Sequence, residues 1–304
     1  MAVGPRGARR TALAKRPKIQ ASAAKKVVQL LDEARKRIAA RLADQPSDFE
    51  QWRLPQLRAA ITREMGVFQA AASRAVSAEA DSAWSAGRDL VDAPLEASGR
   101  VTVTAAMADL STAQLTALQS FMVDRIADIS AATVSAITRE LGLVVIGGQS
   151  PSEAISKLSK IFAGNRERAI TIVRTEIGRV FAIAAHERMT QAQASVPKLK
   201  KQWRRSGKIH SRPGHDAIDG QIRDVDEPFE VVAPSGEVVK LMHPRDPSAP
   251  IGETINCGCE SLPYMQEWDV ANKGRVPFTD AELSPAEVRR NPVKAAFVQN
   301  RRKQ

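Results

Sequence analysis

The chain has 304 residues, a length that suits one large domain or two modest domains with a buried core. Aromatic residues make up only 4% while alanine is abundant, which favours helices packed through small side chains over a β-sandwich. The formal net charge is +11, and no apolar run is long enough to predict a membrane span. The only two cysteines, Cys257 and Cys259, are too few for a disulfide framework, which favours a reducing, intracellular origin.

The positive charge is concentrated at the two ends of the chain. Residues 1–41 hold twelve Lys and Arg against two acidic residues, residues 285–304 hold six against one, and the body between them is slightly acidic. Such ends attract nucleic acid or an acidic protein surface, or they serve only as solvated, solubilising segments. The N-terminal residues predicted to make these contacts are Arg9, Arg10, Lys15, Arg16, Lys18, Lys25 and Lys26.

Apolar residues at helical spacing dominate the first half of the chain. After a basic tail at residues 1–21, which is predicted to be disordered, they predict helices over residues 22–43, 55–91 and 112–142. The Val-Thr-Val-Thr run at residues 101–104 is typical of an extended segment.

A helix-capping signal opens the second half. Ser150 as N-cap, Pro151 at the first helical position and Glu153 reaching back together form a capping box. Asn165 is predicted to cap a further helix that runs to about residue 193.

Short strands are predicted after Pro197. Residues 229–232 and 238–241 flank a Pro-Ser-Gly turn and indicate a β-hairpin, and residues 259–263 offer a third strand. This part of the chain also holds both cysteines and three of the four histidines, the residues best suited to metal binding or catalysis.

These elements predict an α+β fold: an elongated, mainly helical N-terminal region followed by a small α+β module with a β-hairpin or short antiparallel sheet. After the tail, we expect a helical arm at residues 22–148, a compact module at 150–266 and a basic C-terminal tail at 267–304.

Several motifs occur in order through the predicted module. They are Arg174-Thr175-Glu176, then Trp203 with basic neighbours, then Arg212-x-x-His215-x-x-x-Asp219-Gly220, and finally Asn256-Cys257-x-Cys259. This set resembles the head morphogenesis domain of tailed bacteriophages, the phage Mu F-like family of minor head proteins, over about residues 150–265. Two departures are Gly258, where relatives often have a basic residue, and residues 207–210, which lack an acidic residue followed by Arg.

The resemblance implies a structural protein of the virion rather than an enzyme. It implies a low-copy component at the portal vertex in the head interior, assembled in the bacterial host cytoplasm and acting in procapsid assembly and in DNA packaging or delivery. The implied partners are the portal protein, a scaffold or major head protein, and double-stranded DNA. The helical arm is the expected contact region for the portal or scaffold.

Two readings of the histidines and cysteines remain open. A structural zinc ion could bind Cys257, Cys259, His215 and either His243 or His210, although a single residue between the cysteines is less than zinc sites usually have. Alternatively, the cysteines are small buried residues and His215 bonds to Asp219 or to a backbone carbonyl.

Three functional classes follow from these patterns: a structural head protein, a sequence-independent DNA-binding protein, and a metal-dependent hydrolase or nuclease. A hydrolase would need a polar cleft, which Arg174, Glu176, Arg212, His215 and Asp219 could line. The signatures of zinc deaminases, P-loop proteins and HExxH metalloproteases do not occur in the sequence.

Overall fold

The structure, a computed structural model, describes residues 4–43, 54–268 and 276–301. Long helices are followed by short antiparallel strands, so the predicted α+β class is confirmed. The chain forms two compact units, each assembled from segments that are distant in sequence. The first unit combines Met1–Pro17, Ser82–Thr112 and Gly178–Gln304, and the second combines Lys18–Asp81 and Ala113–Ile177.

The helices of the first two thirds of the chain are α1 (Pro5–Leu13), α2 (Lys15–Ala43), α3 (Leu54–Ala97), α4 (Val101–Ala106), α5 (Thr112–Val145) and α6 (Pro151–Gln193). Helices α2, α3 and α5 confirm the three helices expected from apolar periodicity. The capping box is also confirmed, because the Ser150 N–H donates to Glu153 Oε2 (2.7 Å) and the Glu153 N–H donates to Ser150 Oγ (3.2 Å). Within the described ranges, no helix is both long and apolar enough to cross a membrane.

Three local predictions are wrong. The described part of residues 1–21 is not disordered, because α1 begins at Pro5 after an extended Gly4 and α2 follows directly. Residues 101–104 belong to α4 and are not extended. Asn165 does not cap a helix, because it lies within α6, where its side-chain amide donates to Thr133 Oγ1 (2.8 Å).

Segments of α2, α3, α5 and α6 pack into the second unit. The buried apolar side chains of these segments include Leu31, Ile38, Ile61, Met65, Phe68, Ile126, Ile129, Ile137 and Val173. At the margin of this core, two carboxylates on α3 form hydrogen bonds with basic side chains on α2. Glu64 accepts hydrogen bonds from Arg37 and Arg41, and Glu79 accepts one from Lys26. The second unit is therefore a helical bundle with ion pairs along its edge.

The strands belong to the first unit and form two small antiparallel sheets. β1 (Lys200–Arg204) lies between β2 (Ile222–Asp224) and β5 (Glu260–Tyr264). β3 (Phe229–Val232) and β4 (Val238–Leu241) form the predicted hairpin, with Gly236 at a positive φ of 87° in its turn. The third strand expected at 259–263 is confirmed as β5.

Short helices complete the first unit: α7 (Pro213–Ala217), α8 (Ile251–Thr254), α9 (Pro285–Arg290) and α10 (Pro292–Arg301). The C-terminal segment is not a free tail in its described part. Asn291 donates to Asp216 Oδ2 (2.8 Å), the buried Lys294 donates to the carbonyl of Ile209, and Glu282 pairs with Arg205. Lys294 is thus an internal donor, whereas Arg289, Arg290 and Arg301 are exposed.

Helices α3 and α6 approach each other closely within the first unit. A Cβ atom at Gly87 would lie 2.4 Å from the Phe181 carbonyl oxygen and 2.7 Å from the Ala184 Cβ. Nearby, Arg188 on α6 donates to both carboxylate oxygens of Asp92 on α3 at 2.7 and 2.8 Å. Glycine at position 87 is thus required by backbone contact, and the bidentate ion pair fixes the register.

We predict that Gly87→Ala destabilises the protein by about 1–3 kcal/mol, because the added methyl group overlaps a backbone atom that cannot move freely. Gly66→Ala on the same helix is the matched control, since its Cβ would meet no atom within 4 Å, and we expect a gain of about 0.5–1 kcal/mol. Urea unfolding followed by tryptophan fluorescence measures both. Equal effects of the two substitutions would contradict the close helix contact.

Candidate functional site

Trp203 anchors the helix that carries His215. It is fully buried in β1, and its indole Nε1 donates to the His215 carbonyl (3.2 Å). Gly220, at φ +82°, returns the chain to β1 by donating its N–H to the Trp203 carbonyl (2.9 Å). A Cβ at Gly214 would lie 2.2 Å from the Val232 carbonyl oxygen, so α7 packs on the hairpin through a position that only glycine fits.

His215 brings the two cysteines together. Its Nδ1 lies 3.6 Å from the Sγ atoms of both Cys257 and Cys259. The three residues are 2%, 4% and 3% exposed, respectively. On the other side of the ring, Nε2 lies 2.8 Å from Glu253 Oε2. We call His215, Cys257 and Cys259 the thiol–imidazole cluster. Because the Glu253 carboxylate accepts the Nε2 proton, Nδ1 is the nitrogen that faces the thiols.

The cluster is electrostatically coupled. The hydrogen bond between the thiols lowers the pKa of Cys257 and raises the pKa of Cys259, so Cys257 loses its proton more readily than Cys259. Burial opposes a charged His215, but its hydrogen bonds to Cys257 and Glu253 outweigh burial and raise its pKa. The hydrogen bond from His215 lowers the pKa of Glu253. Hydrogen bonds thus connect Cys257, His215 and Glu253 in one series.

A buried arginine holds the loop that carries both cysteines. Arg245 Nη1 donates to the carbonyls of Cys257 (2.7 Å) and Cys259 (3.1 Å), and Nη2 pairs with Glu260 Oε1 (2.8 Å). Arg16 from the N-terminal segment pairs with the same Glu260 oxygen (2.7 Å) and donates to the Gly258 carbonyl (3.2 Å). The backbone from Cys257 to Glu260 is therefore fixed by two guanidinium groups.

Arg212 and Asn256 shape the rim of the cluster. Arg212 Nη2 donates to the Ile255 carbonyl (2.7 Å), and its Nε lies 4.0 Å from Glu253 Oε2. Asn256 adopts a positive φ of 54°, and its carbonyl accepts a hydrogen bond from Lys208. Asparagine tolerates this left-handed conformation, which turns the chain into the Cys257–Cys259 loop.

Asp219 does not bind His215, and the hydrogen bond expected between them is wrong. Its carboxylate accepts the backbone N–H groups of Arg205 (2.8 Å) and Val276 (2.5 Å) instead, and it lies 3.6 Å from Arg205 Nε. Arg205 also pairs with Glu282. Asp219 thus joins the turn after α7 to the C-terminal segment.

His243 and His210 lie outside the cluster, so their assignment as metal ligands is wrong. The His243 ring packs on His186 with centroids 5.3 Å apart, and its Nδ1 donates to the Pro244 carbonyl (3.1 Å). His210 Nδ1 lies 2.7 Å from Glu287 Oε1 near the surface. Across residues 4–43, 54–268 and 276–301, the set of clustered metal-ligating groups is His215, Cys257 and Cys259.

The Arg174-Thr175-Glu176 segment lies on α6 in the second unit. The Arg174 carbonyl accepts a hydrogen bond from the Gln20 side chain, and the Thr175 hydroxyl donates to the Thr171 carbonyl (2.8 Å). Glu176 is buried. These contacts support the helical bundle, and a shared cleft of Arg174 and Glu176 with the other predicted residues stays a prediction.

The predicted basic contact residues divide into two groups. Arg9 donates to the Pro263 carbonyl (3.1 Å), Lys15 pairs with Asp89, Lys26 pairs with Glu79, and Arg16 binds the cysteine loop. The remaining three, Arg10, Lys18 and Lys25, are exposed. Arg9 and Arg16 are therefore structural donors within their own unit.

Sequence reasoning missed Arg245, Glu253 and Glu260. Arg245 stands between two prolines in His-Pro-Arg-Asp-Pro, and Glu253 precedes Cys257 by four residues. The available signal for Arg245 was a charged residue inside a proline-rich turn, 12 residues before Cys257.

The packed pair of His186 and His243 is expected to make the folded protein less stable in acid. Burial lowers the pKa of His243 to about 4 and that of His186 to about 3. Both are neutral in the folded state, whereas an unfolded histidine protonates near pH 6.5. Stability is thus complete above pH 6.5 and falls towards pH 4 by about 1.4 kcal/mol per pH unit for each histidine.

Urea unfolding between pH 4.5 and about 7 measures this dependence. Relative to the wild type, His243→Gln and His186→Gln should each reduce the slope of the unfolding free energy against pH by the contribution of one histidine. The double variant should remove both contributions. An unchanged slope in the double variant would contradict the assignment of neutral, buried rings.

Comparison with known proteins agrees with the motif pattern. The model of the phage Mu protein F like family matches residues 135–262. An uncharacterized protein of Bacillus subtilis, YqbB, is 38% identical over 103 residues, which cover 33% of this chain and 32% of the relative. An NAD(+)–arginine ADP-ribosyltransferase of Enterococcus faecalis, EFV, is 24% identical over 126 residues, which cover 41% of this chain and 25% of the relative.

The chain thus spans about a third or less of the length of these relatives. No solved structure matches it. The family match includes both the Arg174-Thr175-Glu176 segment and the thiol–imidazole cluster. Over residues 135–262, which make up less than half of the chain, the sequence is similar to the phage Mu protein F like family.

Proposed function

We propose that the chain is a minor head protein of a tailed bacteriophage that acts in procapsid assembly at the portal vertex. The observation that carries the proposal is the family match over residues 135–262, which covers the second unit's α6 segment and most of the folded module. Its partners are then the portal protein and a scaffold or major head protein, and its location is the virion. The family is structural, which favours this role over a hydrolase.

Burial supports an assembly role over catalysis. The sulfur and imidazole groups of the thiol–imidazole cluster lie under the cysteine loop, with 4% or less of each residue exposed. A nucleophile or general base must reach its substrate, which this packing does not admit. The transferase activity named for the Enterococcus relative is not transferred to this chain, because the alignment covers a quarter of that protein.

Exposed apolar side chains on the helical bundle are suited to a protein partner. Val67 on α3 and Phe121 on α5 are each 58% exposed, although both helices otherwise bury their apolar faces. Helices of this kind complete their packing against another chain. This supports the helical arm as the region that contacts the portal or scaffold.

The head-assembly proposal is tested by complementing a phage that lacks this gene. We expect the wild-type chain to restore heads and to be found in purified procapsids at a few copies per particle. Val67→Lys with Phe121→Lys should reduce incorporation at least tenfold, which corresponds to about 1.4 kcal/mol of lost contact energy.

Val232→Lys with Val238→Lys is the matched control, because this hairpin pair is 54% and 53% exposed but lies outside the bundle. Normal incorporation of the control would confirm that the bundle makes the contact. Absence of the wild-type chain from procapsids and mature heads would overturn the proposal.

A specific cavity favours phosphate binding as a second function. A cavity of about 200 Å³ in the first unit is lined by four arginines, Arg6, Arg9, Arg10 and Arg204. Burial, then the charges of Arg204 and Arg6, lowers the pKa of Arg9 to about 10. Among the described residues, the guanidinium groups of Arg6, Arg10 and Arg204 form no hydrogen bond or ion pair. Mutually repelling guanidinium groups around one cavity favour an anion such as a DNA phosphate.

This second proposal is tested by binding to labelled duplex DNA over a range of salt concentrations. Arg6→Ala with Arg10→Ala should weaken binding and reduce the slope of log affinity against log salt by about two, because each phosphate contact contributes about 0.9. Lys18→Ala with Lys25→Ala removes the same charge from another exposed region and should change the slope less. Equal changes in the two pairs would show that only net charge matters, and the arginine cavity would not be a phosphate site.

A further inference from the structure

We propose that His215, Cys257 and Cys259 bind a Zn²⁺ ion through His215 Nδ1 and the two Sγ atoms. The inference rests on the geometry of the thiol–imidazole cluster and does not depend on the proposed function. Two thiolates and one imidazole are ligands that zinc prefers, whereas magnesium and calcium prefer oxygen.

The distances within the cluster fit a tetrahedral metal ion. Zinc binds sulfur at about 2.3 Å and nitrogen at about 2.0–2.1 Å, so a tetrahedral angle places the two ligand atoms about 3.5–3.6 Å apart. The structure has 3.6 Å from Nδ1 to each sulfur atom. All three ligand atoms lie within 4.8 Å of one another. One ion can therefore contact all three without rearrangement of the backbone.

The short spacing between the cysteines is accommodated by the backbone of their loop. Arg245 binds the carbonyls of Cys257 and Cys259 from one side, which leaves both side chains directed to His215. A Cβ at Gly258 would lie 2.7 Å from the Ser206 Cβ, so glycine lets the loop pack closely at the one residue between the ligands. A single residue between two cysteines usually hinders their binding to one zinc ion. Here the contacts of Arg245 and Gly258 hold the loop in a conformation in which both sulfur atoms face His215.

The surroundings of His215 also match those of a metal ligand. A histidine that binds a metal through one ring nitrogen usually donates the other N–H to a carboxylate, which fixes its tautomer and orientation. His215 Nε2 donates to Glu253 Oε2 at 2.8 Å in this arrangement. Within the described ranges no fourth His, Cys, Asp or Glu joins the cluster, so a water molecule or a partner side chain would complete the coordination.

The same three types of group occur in cysteine hydrolases, where an imidazole activates a thiol and a carboxylate orients the imidazole. A nucleophile requires one thiol and open access. Here Nδ1 is equally distant from two sulfur atoms, and both cysteines are buried. Two thiols at equal distances from the imidazole, in a closed site, favour a shared cation over a reacting group.

The test uses the untagged full-length chain. After reconstitution with Zn²⁺ and removal of unbound metal, elemental analysis should give one zinc per chain, and Co²⁺ in its place should show thiolate-to-cobalt charge-transfer absorption. Cys257→Ser and Cys259→Ser should each abolish that absorption. Glu253→Gln keeps every ligand and should weaken zinc affinity about 10- to 100-fold.

The controls are His243→Gln and His210→Gln, which remove histidines that lie outside the cluster and should retain one zinc per chain. A folded wild-type chain that binds neither Zn²⁺ nor Co²⁺ would overturn the inference. Rapid, stoichiometric alkylation of one cysteine by iodoacetamide in the presence of Zn²⁺ would also overturn it, because a coordinated and buried thiolate is protected.

Discussion

Arg245 has no exposure to solvent, and the geometry of the first unit depends on its guanidinium group. It binds two carbonyls of the cysteine loop and the carboxylate of Glu260 at the start of β5. Its own carbonyl accepts a hydrogen bond from Arg179 on α6 (3.2 Å). A buried charge is stable only when paired, and removal of one partner from such a pair costs about 3–5 kcal/mol. The guanidinium group of Arg245 thus holds the loop and β5, and its backbone carbonyl joins them to α6.

Around this residue, buried charged groups of the first unit pair with one another and with backbone groups. Glu260 accepts from Arg245 and Arg16, Asp219 accepts two backbone N–H groups, and Glu282 pairs with Arg205. Small sheets bury little apolar area, so a compact unit built on them needs other sources of stability. Buried ion pairs supply specificity of arrangement, and a metal ion at the thiol–imidazole cluster would supply folding energy.

Helices and turns that local sequence patterns encode could be predicted, whereas contacts between residues distant in sequence could not. Apolar periodicity located α3 and α5, the Ser150–Glu153 pair began α6, and the turn between β3 and β4 marked the hairpin. The grouping of His215 with both cysteines was also visible as ordered motifs. Residues 1–21 are predicted from the sequence to be disordered, but Arg9 and Arg16 find acceptors on β5 that no local window contains. Glu253 displaced Asp219 as the partner of His215 for the same reason.

The contact between α1 and β5 has a consequence during protein synthesis. Arg9 donates to a carbonyl 254 residues further along, and Arg16 reaches Gly258. At roughly 5–20 residues per second, the ribosome releases α1 roughly 10–50 seconds before its acceptors exist. The first unit therefore closes only after β5 has been synthesised, and a product that stops before β5 lacks the acceptors of Arg9 and Arg16. Folding of this unit is thus delayed until synthesis has passed β5, whatever the stability of α1 on its own.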